Sequence, residues 1–81
     1  MGSKLKLGTI LHLSKSSGNL ILKAERNVRI GDKVFDHDGR KIGSVFDLFG
    51  PVSNPFVAVK PGQRNPDVYI GKSLFMRKGN H

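Results

Sequence analysis

The sequence contains no cysteine and no long apolar run. Without cysteine the chain has neither disulfide bonds nor thiolate metal ligands, as expected for a protein in a reducing cell interior. No apolar run approaches the roughly 20 residues that a membrane-spanning helix needs, and the first residues lack the apolar segment of a signal peptide. We therefore expect a cytoplasmic protein without membrane contact.

Acidic residues are also few. Six Asp and Glu stand against 14 Lys and Arg, which gives a net charge of +8. Such an excess on a small chain favours polyanionic partners, because binding releases counterions. Small proteins inside ribonucleoproteins are often basic for the same reason. The charge therefore bears on partners and says nothing about fold or chemistry.

The sequence lacks the residue patterns of common active sites. The histidines His12, His37 and His81 have no metal-ligand spacing, and no glycine-rich loop leads into a helix. Asp36 and Asp38 flank a predicted hairpin, where aspartate most often stabilises the turn backbone. We predict that the protein is not an enzyme, with no catalytic residue, metal site, cofactor or small-molecule substrate.

What the sequence does contain is a series of short strands. No stretch has a helical period, and apolar segments recur at roughly 8–12-residue spacing between glycines and prolines. We predict strands at residues 5–13, 20–24, 33–36, 41–48 and 56–60, a short strand at 67–70 and a last apolar segment at 74–76. The fold class predicted is all-β: one domain spanning 1–81, a small closed barrel of about six strands, with flexible termini at 1–4 and 77–81.

The apolar pattern also predicts which side chains face the core. In the first strand, one face carries Leu5, Leu7, Thr9, Leu11 and Leu13. In the fourth strand, Ile42, Phe46 and Leu48 share one face and Val45 lies on the other. Gly43 within that strand predicts a bulge or sharp bend. Most phenylalanines are expected in the core, which leaves few aromatics to interleave with basic residues on a sheet face, as single-strand binders require.

The segment Gly50–Pro55 is a stiff, apolar corner. Pro51 and Pro55 fix φ and lack the backbone donor, so the corner is neither helix nor the middle of a paired strand. In the strand that follows, Val57 and Val59 are predicted to point inward, which leaves Phe56 outward. An aromatic exposed beside prolines suits a docking surface. The alternative is that Phe56 folds back under a neighbouring loop.

Basic residues occur in or beside the predicted loops. Two functions stay open for them: contact with RNA phosphates, or a solvated basic surface. The candidate RNA-proximal residues are Arg26, Arg29, Arg40, Lys41 and Arg64.

Three stretches give the chain a resemblance to a known family: residues 11–23, 31–45 and 49–61. The last, in which Gly-Pro-Val is followed by Pro-Phe-Val-Ala-Val-Lys-Pro, is the most specific. From about Leu7 to Phe75 the chain resembles the glycine/arginine-rich-domain (Gar) subunit of H/ACA ribonucleoproteins. The sequence contains no Arg-Gly-rich stretch of the kind found in the tails of the eukaryotic proteins, so we expect the compact archaeal form.

The resemblance implies a six-stranded barrel of the translation-factor (reductase/isomerase/elongation factor) type in the RNA-guided pseudouridylation complex of an archaeal cell. The subunit would bind the pseudouridine synthase catalytic subunit directly, and reach the guide RNA and the other core proteins through the complex. It would act on a mobile substrate-gripping loop of the synthase, aiding substrate loading and product release. By motif position, the synthase-docking residues would be Phe49, Gly50, Pro51, Val52, Pro55 and Phe56.

Another interpretation is a free-standing small basic barrel, of the photosynthetic-reaction-centre or ribosome-maturation type, that binds RNA or a ribosomal partner. The stretch from Gly31 to Asp47 resembles those barrels too. The stretch from Gly50 to Pro61 is not expected in them, so it distinguishes the H/ACA family from these barrels. The loop at 25–29 is predicted to lie over one end of the barrel. Charge reversal at Arg26 and Arg29 should matter little for assembly with the synthase, and a large loss would move the interface to the other end of the barrel, away from the corner.

Overall fold

The computed structural model describes residues 4–62 and 65–77, which form six strands and a short 3-10 helix. The strands are β1 (Lys4–Leu13), β2 (Leu20–Lys23), β3 (Lys33–Phe35), β4 (Lys41–Phe49), β5 (Phe56–Pro61) and β6 (Ser73–Arg77). They close into an antiparallel barrel in the order β1-β2-β5-β4-β3-β6. The predicted all-β, six-stranded closed barrel is confirmed. Within the described ranges, no helix is long and apolar enough to cross a membrane.

The barrel closes where the first strand pairs with the last. Lys4 lies opposite Arg77, and the ladder continues to Thr9 opposite Ser73. β6 continues to β3 through one register pair, Phe35 opposite Phe75. Of the predicted flexible termini, Lys4 and Arg77 are thus paired strand residues, while residues 1–3 and 78–81 lie outside the described part.

The interior of the barrel is aliphatic. Its buried cluster consists of Leu7, Ile10, Leu20, Leu22, Ala24, Val34, Ile42, Val45, Val57, Val59 and Leu74. Val57 and Val59 are fully buried, which confirms the predicted inner face of β5. The expectation that most phenylalanines build the core is wrong, because this cluster contains none of the five in the sequence. Branched aliphatic side chains suffice to fill a barrel this narrow.

Two register shifts correct the predicted faces of β1. The pairing with β6 shifts between Lys6 and Gly8, and the pairing with β2 shifts between Ile10 and His12. Each bulge adds a residue and reverses the alternation beyond it. Ile10 is therefore buried, while Leu11 is 50% exposed rather than grouped with Leu7.

β4 carries two register shifts as well, one on each side. Opposite β3 the extra residue is Ile42, and opposite β5 it is Phe46. The predicted bulge therefore exists, but next to Gly43 and not at it. Because of the second shift, Phe46 points outward and is 55% exposed, so its predicted position on the face of Ile42 is wrong.

Gly43 itself marks a close approach of two strands. A Cβ at this position would lie 2.0 Å from the carbonyl oxygen of Lys60 on β5. Only glycine fits such a contact without moving the backbone.

The hairpin between β3 and β4 is organised by a buried carboxylate. Asp36 is 9% exposed, and its Oδ1 accepts the backbone N–H groups of Asp38 and Arg40, both at 2.9 Å. This confirms the turn-stabilising role predicted for Asp36. The carboxylate of Asp38 is exposed instead and lies 3.3 Å from Nε2 of His37.

The predicted strand at 67–70 is wrong, because Pro66–Tyr69 forms a 3-10 helix. Pro66 lacks a backbone donor and has a fixed φ, which suit the first turn of a helix. The turn ends where the N–H of Ile70 donates to the carbonyl of Asp67 at 3.2 Å.

Candidate functional site

The candidate site is the corner that connects β4 to β5. Phe49 and Phe56 are register partners at the ends of these strands, and their rings stack with centroids 5.6 Å apart at an interplanar angle of 20°. Gly50 follows with φ +89°, and a Cβ there would lie 3.0 Å from the Phe56 ring. Gly50 therefore allows the positive φ at which the chain reverses, and its lack of a Cβ lets the backbone pack against the Phe56 ring.

Two backbone hydrogen bonds hold the corner in place. The N–H of Asn54 donates to the carbonyl of Pro51 at 3.1 Å, which closes the turn. The N–H of Ala24, just after β2, donates to the carbonyl of Pro55 at 2.9 Å. With two fixed φ angles and both ends paired, the corner is ordered before any partner arrives.

The corner presents apolar side chains to solvent. Val52, at its tip, is 99% exposed, and Phe49 is 45% exposed. Phe56 is half-buried, because Phe49 stacks on one side and Gly50 covers it. Since the neighbouring Val57 points inward, Phe56 lies on the outer face as predicted. The structure thus brings together all six residues predicted for docking.

The loop after β2 lies next to this corner. One cavity of about 330 Å³ is lined by Asn27, Val28, Leu48, Phe49, Gly50, Pro51, Val52 and Pro55. A larger one, of about 660 Å³, has Arg26 and Val52 in its lining. The expectation that this loop covers the other end of the barrel is therefore wrong. Arg26 borders the corner, where its Nε donates to the carbonyl of Lys6 at 3.1 Å.

The basic residues predicted near RNA are not brought together. Arg26 borders the corner, whereas Arg40 and Lys41 lie at the opposite end of β4 from Phe49. Arg29 is exposed in a turn, and its backbone N–H donates to Oδ2 of Asp32 at 2.8 Å. Arg64 lies outside the described residues.

A second apolar area, on the outer face of β2, β5 and β4, was not predicted from the sequence. Ile21 and Ala58 are register partners that belong to the outer face, yet they are only 8% and 6% exposed. Phe46 lies in the bulge between Val45 and Asp47, and Asp47 pairs with Ala58. The sequence did show apolar residues on both faces of β4. It did not show the bulge at Phe46, which fixes the residues that face outward.

The site offers apolar and cationic contacts. Within 4–62 and 65–77, no group of three or more His, Asp or Glu side chains is arranged to hold a metal ion. The exposed groups at the corner are aromatic rings, a valine and prolines, beside Lys23, whose Nζ lies 5.9 Å from the Phe56 ring centroid. Such an arrangement suits recognition of a partner surface.

Comparison with known proteins gives consistent results. The model of the family described as the Gar1/Naf1 RNA binding region matches residues 5–80. An uncharacterized protein of Methanothermobacter thermautotrophicus is 38% identical over 74 residues, covering 86% of this chain and 79% of that protein. An uncharacterized protein of Methanocaldococcus jannaschii is 34% identical over 68 residues, covering 84% of this chain and 79% of that one. The solved structure of the Gar1 domain of Naf1 superposes with a TM-score of 0.75 at 23% identity, covering 95% of this chain and 86% of that one, and so shares its fold.

Proposed function

The chain belongs to the Gar1/Naf1 family, whose domain is associated with H/ACA ribonucleoproteins, and we propose that it is a non-catalytic accessory subunit of the RNA-guided pseudouridylation complex. In this role it binds the pseudouridine synthase catalytic subunit directly and meets the guide RNA and the other core proteins within the complex. We expect it to work in the archaeal cytoplasm, where rRNA is modified.

The observation that supports this function best is the ordered apolar corner. Val52 is almost fully exposed at its tip and Phe49 is nearly half exposed, while backbone hydrogen bonds from Ala24 and Asn54 fix the chain around them. A surface that is ordered before binding loses little conformational entropy on docking. Exposed aromatic and aliphatic anchors of this kind carry most of the binding energy at protein interfaces.

The proposed effect on the synthase is conformational. The corner docks on the catalytic subunit and biases the mobile loop that grips the substrate RNA. Because loop opening and product release often limit turnover, a bound subunit can raise the turnover rate without touching the reacting atoms. The effect should therefore appear in multiple-turnover reactions and be small in a single turnover, which isolates the chemical step.

A second candidate is a free-standing barrel that binds RNA without a protein partner. The net charge of +8 and the RNA-binding description of the family favour it. It requires tight, salt-sensitive RNA binding by the isolated chain.

The test is a calorimetric titration of the chain against an archaeal pseudouridine synthase catalytic subunit, beside a titration with H/ACA guide RNA alone. We expect tight binding to the synthase and weak, strongly salt-dependent binding to the RNA. Tight RNA binding with no synthase complex would overturn the accessory-subunit function and establish the free-standing barrel.

A further inference from the structure

A row of outward-facing side chains crosses four strands on the side of the barrel formed by β1, β6, β3 and β4. Register pairs join Lys6 to Phe75, Phe75 to Phe35, and Phe35 to Lys41. The row lies outside because the residues next to it in β3 and β6, Val34 and Leu74, are fully buried. At about 4.8 Å between strands, the row is about 14 Å long.

Each ring in this row has a cation over it. Cζ of Arg77 lies 4.5 Å from the ring centroid of Phe35, and Nζ of Lys4 lies 5.6 Å from that of Phe75. The hairpin after β3 also holds both cations: Arg77 Nη2 donates to the carbonyl of Gly39 at 3.4 Å, and Lys4 donates to the carbonyl of His37. The two cation–aromatic pairs are thus positioned by main-chain groups.

A cavity of about 340 Å³ opens beside Phe75. It is lined by Asp36, His37, Tyr69, Lys72, Ser73 and Phe75. Its volume is at the small end of the range of about 300–1,000 Å³ found for ligand sites. The cavity places the only tyrosine of the sequence next to the aromatic row.

The face is basic, and the carboxylates near it are engaged. Oδ1 of Asp36 accepts two turn N–H groups, the carboxylate of Glu25 lies 3.6 Å from Nζ of Lys6, and that of Asp38 faces His37. The cations on or beside this face are Lys4, Lys6, Lys33, Lys41, Lys72 and Arg77. Aromatic rings in a row flanked by cations are the arrangement by which proteins hold unpaired bases and their phosphates.

We propose that this face, distinct from the β4–β5 corner, binds single-stranded RNA. Bases stack on the Arg77–Phe35 and Lys4–Phe75 pairs, and the surrounding lysines contact phosphates. Both an aromatic ring and a guanidinium plane accept a stacked base, whereas paired bases in a duplex do not expose their faces. An acidic protein partner would gain nothing from the ring faces, which carry negative partial charge.

The first test compares two variants that remove the same charge. Binding of a fluorescein-labelled oligoadenylate is followed by anisotropy at several salt concentrations. Lys4→Gln with Arg77→Gln should raise Kd at least about fivefold, because the cations of both stacking pairs are lost. The salt slope should also fall, because two positive charges leave the interface. The control, Lys15→Gln with Lys23→Gln, removes two exposed lysines elsewhere and should change Kd less than about twofold.

A second test separates stacking from charge. Phe75→Leu keeps an apolar side chain at the half-buried position but removes the flat ring, so the affinity should fall severalfold with the salt slope unchanged. Phe46→Leu makes the same change on the face of β4 and β5 and should have no effect. Thermal melting checks that both variants fold. If Phe75→Leu fails to fold, the Lys4→Gln/Arg77→Gln variant still tests this face.

Several results would overturn this inference. They are the absence of oligoadenylate binding by the natural chain at low salt, equal losses in the two charge-matched variants, and competition by oligoglutamate as strong as by RNA together with no effect of Phe75→Leu. The last result would identify an acidic protein as the partner. Because the synthase titration uses the β4–β5 corner, variants of this face should retain synthase affinity, and the failure of one proposal is distinguishable from that of the other.

Discussion

Val52 gives the sharpest test of the proposed docking site. Its side chain is 99% exposed, so the folded chain alone gains almost nothing from it. Surface substitutions of this kind change the free energy of unfolding by no more than about 0.5 kcal/mol. If Val52→Ala lowers the binding free energy for the synthase by more than this amount, the loss must therefore come from contacts with the partner.

The expected size of that effect follows from the atoms removed. Val52→Ala removes the equivalent of two CH2 groups, and the burial of each contributes about 0.8 kcal/mol to the free energy of binding. If the partner buries the side chain fully, the binding free energy falls by about 1.6 kcal/mol, which is about a 15-fold increase in Kd.

The assay is the calorimetric titration with the synthase catalytic subunit, with Val68→Ala as the control. Val68 is 57% exposed on the 3-10 helix, so the same two groups are removed from a different place. We expect Val68→Ala to bind as the natural chain does. If Val52→Ala binds with unchanged Kd, or Val68→Ala loses as much affinity, the corner is not the buried centre of the interface.

Three further substitutions test the fold and the site. Gly43→Ala should lower the free energy of unfolding by about 1–3 kcal/mol, because the new methyl group meets the carbonyl oxygen of Lys60. Each kcal/mol lowers Tm by roughly 4–8 °C. The control, Gly62→Ala, has its nearest contact at 3.6 Å and should melt almost as the natural chain does. Asp36→Ala leaves two backbone N–H groups without their acceptor and should cost about 1–3 kcal/mol in a denaturant titration, and an unchanged midpoint would contradict the role of its carboxylate. Phe56→Ala should lower both stability, through the lost ring stack, and synthase affinity, by about 2 kcal/mol or more; unaltered affinity in the folded fraction would show that the ring only supports the corner.

The strands and the corner could be predicted because their signals are local. Alternation within β1, and Pro51 with Pro55 in the corner, act over a few residues, and the closed all-β barrel follows from the spacing of such segments. The bulges could not be predicted, because the extra residue at Leu11 or Phe46 is fixed by the partner strand. A period of two does not reveal where it is interrupted, so the alternation assigns Leu11 and Phe46 to the inner face, whereas both point outward.

The aromatic and basic row escaped prediction for a different reason. Phe35 and Phe75 are 40 positions apart in the sequence, and a single register pair between β3 and β6 brings them together. The phenylalanines were expected inside because a core needs apolar volume. The aliphatic residues supply that volume by themselves, which leaves the rings on the outer surface.

The pairing of β1 with β6 also bears on how the chain matures. Of the six described strands, β1 leaves the ribosome first during synthesis, and its partner along Lys4–Thr9, β6, emerges last. Contacts this distant in sequence form slowly, because a long loop must close before they contribute stability. Until β6 arrives, one side of β1 and one side of β3 remain unpaired sheet edges, which are prone to join other chains. The Lys residues along β1 and β3 would then act as gatekeepers against aggregation of the nascent chain.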